Sequence, residues 1–372
     1  MMVELRRRRI DPEEQVAQTA DGMVESVDED PIPREYIKEE DLISTGSTLL
    51  NLACSGFSPY GGFMLGGIAH LIGDSNTGKS LLALSTMAEA VINPQLDGYN
   101  LIYEEPEAAM YFPRQKMFGE GISRVNFIPK DEDRVNPRRV QDWAKDLENA
   151  QHSFIWITDS FDALTSADDL KVKKDGTGKE KESGKGGYKT EKAIVASETF
   201  PKFIGPLKAH NSFYLHISQT RDNIGVQFGE TKTFSGGNAI KFYRVHEIWL
   251  AVESPIIVKV RDKKRVIGSN VVARVKKNKL TGKVRTIKFP VYDEFGVDDV
   301  GSMVDWMVDE GFWILPKGKQ IIESEDPFPD TTRPKLIQYV EENVAEDRLR
   351  KVVAECWLEL EGEMAIRRKP RY

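Results

Sequence analysis

Apolar residues recur along this chain in two rhythms that take turns. Short runs of strand length appear at GGIAHLIG (66–73), NLIYEE (100–105), SFIWITDS (153–160), SFYLHIS (212–218) and VHEIWLAV (245–252). Between them lie stretches with helical spacing: SLLALSTMAEAVI (80–92), VQDWAKDLENA (140–150) and ASETFPKFIGPLKAH (196–210). Strands that alternate with helices predict an α/β fold with a mainly parallel central sheet. Three further strands, PIIVKVRD (255–262), VVARVKKNKL (271–280) and RTIKFPVY (285–292), follow without helices and predict an antiparallel extension at one edge. Beyond residue 298 the pattern turns helical, in VGSMVDWMVDEGFWI (300–314) and again over 333–364. The expected organisation is a polar arm over 1–40, a core over 41–298 and a small helical C-terminal domain over 299–372.

Composition narrows the class. The chain has 372 residues, 40% hydrophobic and 30% charged, in the range of soluble globular proteins. No apolar run reaches the ~20 residues that span a bilayer, and the basic start MMVELRRRRIDPEE has no apolar segment of a signal behind it. Two cysteines, Cys54 and Cys356, give no disulfide framework and suit a cytoplasmic protein. Net charge is −7, so contact with a polyanion has to rest on a local basic strip. One strip is the segment 171–192, KVKKDGTGKEKESGKGGYKTEK, which reads as a mobile loop.

The chemistry starts at GDSNTGKS. Gly73, Asp74, Ser75, Asn76, Thr77, Gly78, Lys79 and Ser80 fit a P-loop, placed after a strand and before a helix as that motif requires. Gly78 permits the turn that aims backbone N–H groups inward, and the helix N-terminus adds positive potential. Lys79 supplies a charge for the β- and γ-phosphates, and Ser80 a hydroxyl for Mg²⁺. Asp159, at the end of FIWITDS, is the acid for the metal ion. Hydrolysis also needs a carboxylate to orient water, and IYEEPEAAM offers Glu104, Glu105 and Glu107. Spacing alone does not choose among the three.

The order of LISTGSTLLNLA, the P-loop, EEPEAAM, TDSFDALT, ISQTRDNIGVQFGETKTFSGGNAIKFYR and ARVKKNKL resembles the bacterial RecA recombinase family over roughly residues 41–315, as a divergent, phage-encoded member. The resemblance implies a RecA-like P-loop core that binds ATP and Mg²⁺. It implies filaments of self-associated subunits on single-stranded DNA, which pair with homologous double-stranded DNA and are aided by single-strand-binding or mediator proteins. It places the catalytic glutamate at Glu107, with Glu105 as the alternative, and the γ-phosphate sensor at Gln219. Lys277 and Lys279 resemble the lysines that reach a neighbouring subunit's nucleotide. Arg221, Phe228, Lys232, Gly236, Gly237, Asn238 and Lys241 fall in the second DNA-binding loop and the helix after it, and Lys185 and Lys189 in the region of the first. In such a loop the cations meet phosphates, and Phe228 stacks on bases without reading them. Two departures stand out: the family's N-terminal docking helix is not evident in 1–40, and the last residues, AIRRKPRY, are basic where the family carries an acidic tail. The competing readings are a RecA-like mediator without strand exchange and a hexameric P-loop DNA motor.

Overall fold

The structure, a computed structural model, describes residues 37–107, 110–111, 113–128, 138–165, 188–222, 232–234, 239–366 and 368. Contacts divide the chain into residues 1–37 and one compact unit, residues 38–372. The main sheet of that unit holds ten strands: β1 (Ile68–Gly73), β2 (Asn100–Glu104), β3 (Asn126–Ile128), β4 (Phe154–Thr158), β5 (Phe213–Asp222), β6 (Lys232–Phe234), β7 (His246–Val260), β8 (Lys263–Asn278), β9 (Arg285–Tyr292) and β10 (Gly296–Val297). Their order across the sheet is β10-β9-β8-β7-β1-β5-β4-β2-β3, with β6 on the end of β5. The strands from β3 to β7 run parallel; β7 to β10 run antiparallel, as does the β5–β6 pair.

Helices α1 (Thr48–Ser55), α2 (Lys79–Ile92), α3 (Arg114–Phe118), α4 (Val140–Glu148), α5 (Tyr188–Ala209), α6 (Ala239–Tyr243), α7 (Asp299–Asp309), α8 (Arg333–Glu342) and α9 (Glu346–Glu363) complete it. Two apolar cores form. In one, Val140, Trp143, Ala144 and Leu147 of α4, at helical spacing, meet Phe200 and Phe203 of α5 and the rings of Phe154, Trp156 and Tyr214. In the other, α1 and α2 share their apolar faces with residues of α7, α8 and α9. No break in packing marks residue 298.

Two sequence expectations change. The separate strands over 245–252 and 255–262 are the single strand β7. Pro255 does not break it, because past Leu250 the only described neighbour of β7 is β8, and a missing N–H is tolerated on such an edge. Helix α5 starts at Tyr188, inside the segment expected to be loop through residue 192. Its start is anchored by the buried Lys192, whose Nζ donates to the Asp162 carbonyl at 2.9 Å.

Three histidines lie wholly inside: His70, His216 and His246. Burial lowers His216 to about 3 and His246 to about 4, and takes His70 well below its ordinary value. Below the ordinary histidine pKa of about 6.5, the unfolded chain therefore binds protons that the fold does not. Stability is full above that pH and is lost as pH falls toward the folded values. At pH 5.5 each histidine should cost about 1.4 kcal/mol relative to pH 8. Urea midpoints at the two pH values check this, and His246→Leu should flatten part of the difference. A midpoint that does not change would contradict neutral burial.

Candidate nucleotide site

The C-terminal ends of β1, β2, β4 and β5 meet at one edge of the sheet. Gly73 pairs with Gln219, and Glu104 with Thr158. From Gly73 the chain enters the P-loop and then α2. Gly78, the residue before α2, has φ +80°, a left-handed conformation that glycine adopts without strain. Gly73 is required for space, since a Cβ there would lie 2.6 Å from Thr77 Oγ1 and 2.8 Å from the Leu250 carbonyl oxygen.

Lys79 is nearly buried. Its Nζ donates to the carbonyls of Gly73 at 3.0 Å and Asp74 at 2.6 Å, which holds the ammonium at the mouth of the loop. Burial lowers its pKa, while the charges of Asp159, Asp74, Glu107 and Asp162 act to raise it. A cavity of about 460 Å³ opens beside residues 76–81 and is closed on its far side by Ser269, Val271, Val291 and Asp293 of the antiparallel extension. That volume lies in the range of cofactor sites.

Asp159 follows β4 and is buried. Tyr103 Oη donates to its Oδ2 at 2.6 Å, and the Ser80 hydroxyl hydrogen-bonds it as well. Burial raises its pKa, opposed by those two bonds and by the charge of Lys79. A hydroxyl and a carboxylate side by side are hard oxygen donors of the kind Mg²⁺ takes, few enough that nucleotide phosphates and water would complete its shell.

The three glutamates at the end of β2 and just beyond it separate by environment. Glu104 is fully buried and structural: Arg138 Nε donates to Oε1 at 2.6 Å, and Trp156 Nε1 and Thr158 Oγ1 donate to Oε2 at 3.1 and 3.0 Å. Glu105 is nearly buried, and its charge acts on Tyr103. Glu107 is exposed, and its Oε1 accepts from Ser160 Oγ at 3.1 Å and from Gln219 Nε2 at 3.3 Å. It is the glutamate that touches Gln219 on β5.

A residue that the sequence did not single out organises this corner. Asp162 Oδ2 accepts from the backbone N–H of Gln219 at 2.8 Å, and its Oδ1 accepts from Arg221 Nη2 at 3.0 Å. With the Lys192 bond to its carbonyl, Asp162 ties the start of α5 to the end of β5. The adjacent Thr220 hydroxyl bonds the Asp74 carboxylate of the P-loop. The only signal in the sequence was a second acid three residues after Asp159, a weak one.

With this geometry in place, comparison with known proteins decides the family. A model of the RecA N-terminal domain matches residues 32–298. The chain belongs to the RecA N-terminal domain family. It is 27% identical to Protein RecA of Azospirillum lipoferum over 278 residues, which cover 75% of this chain and 70% of that protein. It is 28% identical to Protein RecA of Brucella canis over 277 residues, covering 74% and 70%.

Of the residues expected to meet DNA in this RecA-family chain, Phe228, Gly236, Gly237, Asn238 and Lys185 lie outside the described residues, as do the side chains of Lys189 and Lys232. Arg221 is committed to Asp162 in this structure, so a phosphate contact would compete with that ion pair. Lys241 is exposed, with its Nζ 5.3 Å from the centre of the Phe234 ring. Lys277 and Lys279 both turn to α6: their Nζ atoms donate to the carbonyls of Lys241 at 2.5 Å and Phe242 at 2.8 Å. Burial first, then the nearby Lys279 and Arg244 charges, lowers the Lys277 pKa.

Between β1, β5 and β7 lies a buried polar network, also not foreseen. Arg244 can only donate, so its Nη1 bond of 2.8 Å makes His70 Nδ1 the acceptor. His70 Nε2 then carries the proton and donates to Ser218 Oγ at 3.0 Å, one residue before Gln219. Arg244 also pairs with Glu247, which accepts from Trp249 Nε1 at 2.6 Å. The ring of Phe234, at the end of β6, stands edge-on to His70 at 4.7 Å. Thus β1, β5 and β7 meet in one set of hydrogen bonds around Arg244, and the Phe234 ring of β6 packs against it.

Proposed function

We propose that this RecA-family chain is a DNA-dependent ATPase that assembles on single-stranded DNA and carries out homologous pairing and strand exchange. The observation that carries the proposal is the position of Gln219. Its side chain touches Glu107 at the nucleotide site, its backbone is held by Asp162, and its strand leads directly into the loop 223–231. In this reading Lys79 and the P-loop N–H groups bind the phosphates, and Ser80 and Asp159 hold Mg²⁺. The ion supplies charge neutralisation at the phosphate oxygens. Glu107 orients the attacking water and accepts its proton. Gln219 carries the change at Glu107 into β5, and Thr220 and Arg221 pass it to Asp74 and Asp162. Nucleotide then biases the loop between states of different DNA affinity. Lys241, Lys232 and the glycines around Phe228 give the loop its phosphate contacts and its close approach to the strand.

The test is ATP turnover with and without single-stranded DNA, in the parent chain and in Asp162→Ala. The parent should be stimulated by DNA. Asp162→Ala should lose much of that stimulation, since both Gln219 and Arg221 lose their anchor. A parent chain with no stimulation, and no filaments with a nonhydrolysable analogue, would favour the mediator reading instead.

A further inference from the structure

Tyr103 carries a polar group where the packing asks only for an apolar ring. It lies in β2, is fully buried, and belongs to the core that α1 and α2 share. Its ring meets that of Phe127 on β3 at 5.5 Å between centres, and the Arg114 guanidinium covers the Phe127 ring at 3.9 Å. Phenylalanine would fill the same space. A buried hydroxyl costs free energy unless it is bonded, and the partners of this one stand at the nucleotide site. Tyr103 Oη donates to Asp159 Oδ2 at 2.6 Å, and the Ser80 hydroxyl bonds it as well. The phenol group therefore serves the two side chains proposed to hold Mg²⁺.

The register explains why it reaches them. Tyr103 pairs with Ile157 on β4, and Asp159 lies two residues farther along, so both side chains stand on the sheet face shared with α2. The Asp159 backbone N–H donates to the Glu104 carbonyl at 2.8 Å, which extends the ladder and fixes where the side chain starts. The sheet thus sets one end of the aspartate, and Tyr103 sets one oxygen at the other. An ionised carboxylate only accepts, and it has two oxygens to offer. With Oδ2 engaged by the phenol proton, Asp159 is set to meet a cation, directly or through water, with Oδ1 alone.

That presentation separates two hard cations. Mg²⁺ tolerates little departure from an octahedron, so a single fixed oxygen suits it. Ca²⁺ is larger, gathers more oxygens in flexible geometry, and gains from a carboxylate that binds with both. We infer that Tyr103 is a positioning residue for the metal site: it holds Asp159 to contact through one oxygen and so favours Mg²⁺ over Ca²⁺ beside the bound nucleotide. Tyr103 acts through Asp159 and Ser80. The inference rests on the nucleotide-site reading proposed above.

The experiment compares the full parent chain with Tyr103→Phe. Binding of a fluorescent, nonhydrolysable ATP analogue is titrated with Mg²⁺, with Ca²⁺, and with EDTA in place of either. The parent should need less Mg²⁺ than Ca²⁺ for half-maximal binding. In Tyr103→Phe the need for Mg²⁺ should rise while that for Ca²⁺ stays level or falls. The ratio between them should shift by about tenfold, the scale of one hydrogen bond to a charged group. Binding in EDTA should match the parent, because Lys79 and the P-loop are untouched. Circular dichroism melting records any loss of stability. A tyrosine with a merely structural role would lower the melting temperature and leave the ratio unchanged, and that result overturns the inference alone. A parent that binds the analogue equally well with either ion overturns it too, whatever the variant does. A parent that binds no nucleotide, or binds it without regard to divalent ions, overturns the reading of the site as well.

Discussion

Glu107→Gln should reduce ATP turnover by about 10²–10⁴-fold while nucleotide affinity stays near that of the parent. The amide keeps the size of the side chain, and its oxygen still accepts from Ser160 and Gln219. What it loses is the ability to take a proton from water. Lys79, Ser80 and Asp159 are untouched, so binding should persist and the protein should dwell in its ATP-loaded state. The visible result is a variant that holds single-stranded DNA longer than the parent once ATP is added. Single-turnover hydrolysis and a nucleotide titration separate the two effects. If turnover survives and Glu105→Gln abolishes it instead, the water-orienting role belongs to the neighbour.

The second large effect concerns stability. Arg138→Ala should cost about 3–5 kcal/mol, the usual result of stripping a buried charge of its partner. Glu104 is fully buried, and the Arg138 side chain is only 15% exposed. Burial already raises the Glu104 pKa, and the charge of Arg138 is the main force that holds it down. Without Arg138 the folded carboxyl rises further above its unfolded value. The deficit relative to the parent is present while Glu104 is ionised in the folded parent, and it shrinks as pH falls and the folded carboxyl is protonated in both proteins. Glu104→Gln in the same background should recover most of the loss, because an amide oxygen still accepts from Trp156 and Thr158. Urea midpoints of the parent, both single variants and the double variant complete the cycle. A loss that is the same with Gln at position 104 would show that Arg138 acts through Asp146 instead.

These two residues also show what the sequence carried and what it withheld. The P-loop was legible because its chemistry is contiguous: the glycines, the lysine and the hydroxyl that bind phosphate sit within eight residues, between a strand and a helix whose periods differ. The parallel core was legible for a similar reason, since each strand and each helix buries a face that repeats along the chain. Spacing alone did not separate Glu104 from Glu107, because what distinguishes them physically is Arg138, distant along the chain, and the indole of Trp156 on the next strand. Asp162 looked like any acid in a loop. Its importance comes from the parallel register that brings Gln219 and Arg221 beside it. The His70–Arg244–Glu247 network joins three strands and a short helix, and no local pattern predicts hydrogen bonds of that kind. Pro255 read as the start of a separate strand, and it sits inside one long strand because, among the described residues, only β8 is paired with β7 there.

One arrangement sets a condition on any assembly of this protein. Lys277 and Lys279 hold the last carbonyls of the short helix α6, where a cation is favoured by both hydrogen bonding and the helix dipole. Whatever anion draws either ammonium outward competes with those carbonyls for the same protons. A docking event that engaged these lysines would therefore loosen α6, and a well-seated α6 would in turn resist such docking. By thermodynamic reciprocity, an anion that takes these ammonium groups from the α6 carbonyls would be disfavoured by a seated α6 to the same degree that it unseats the helix.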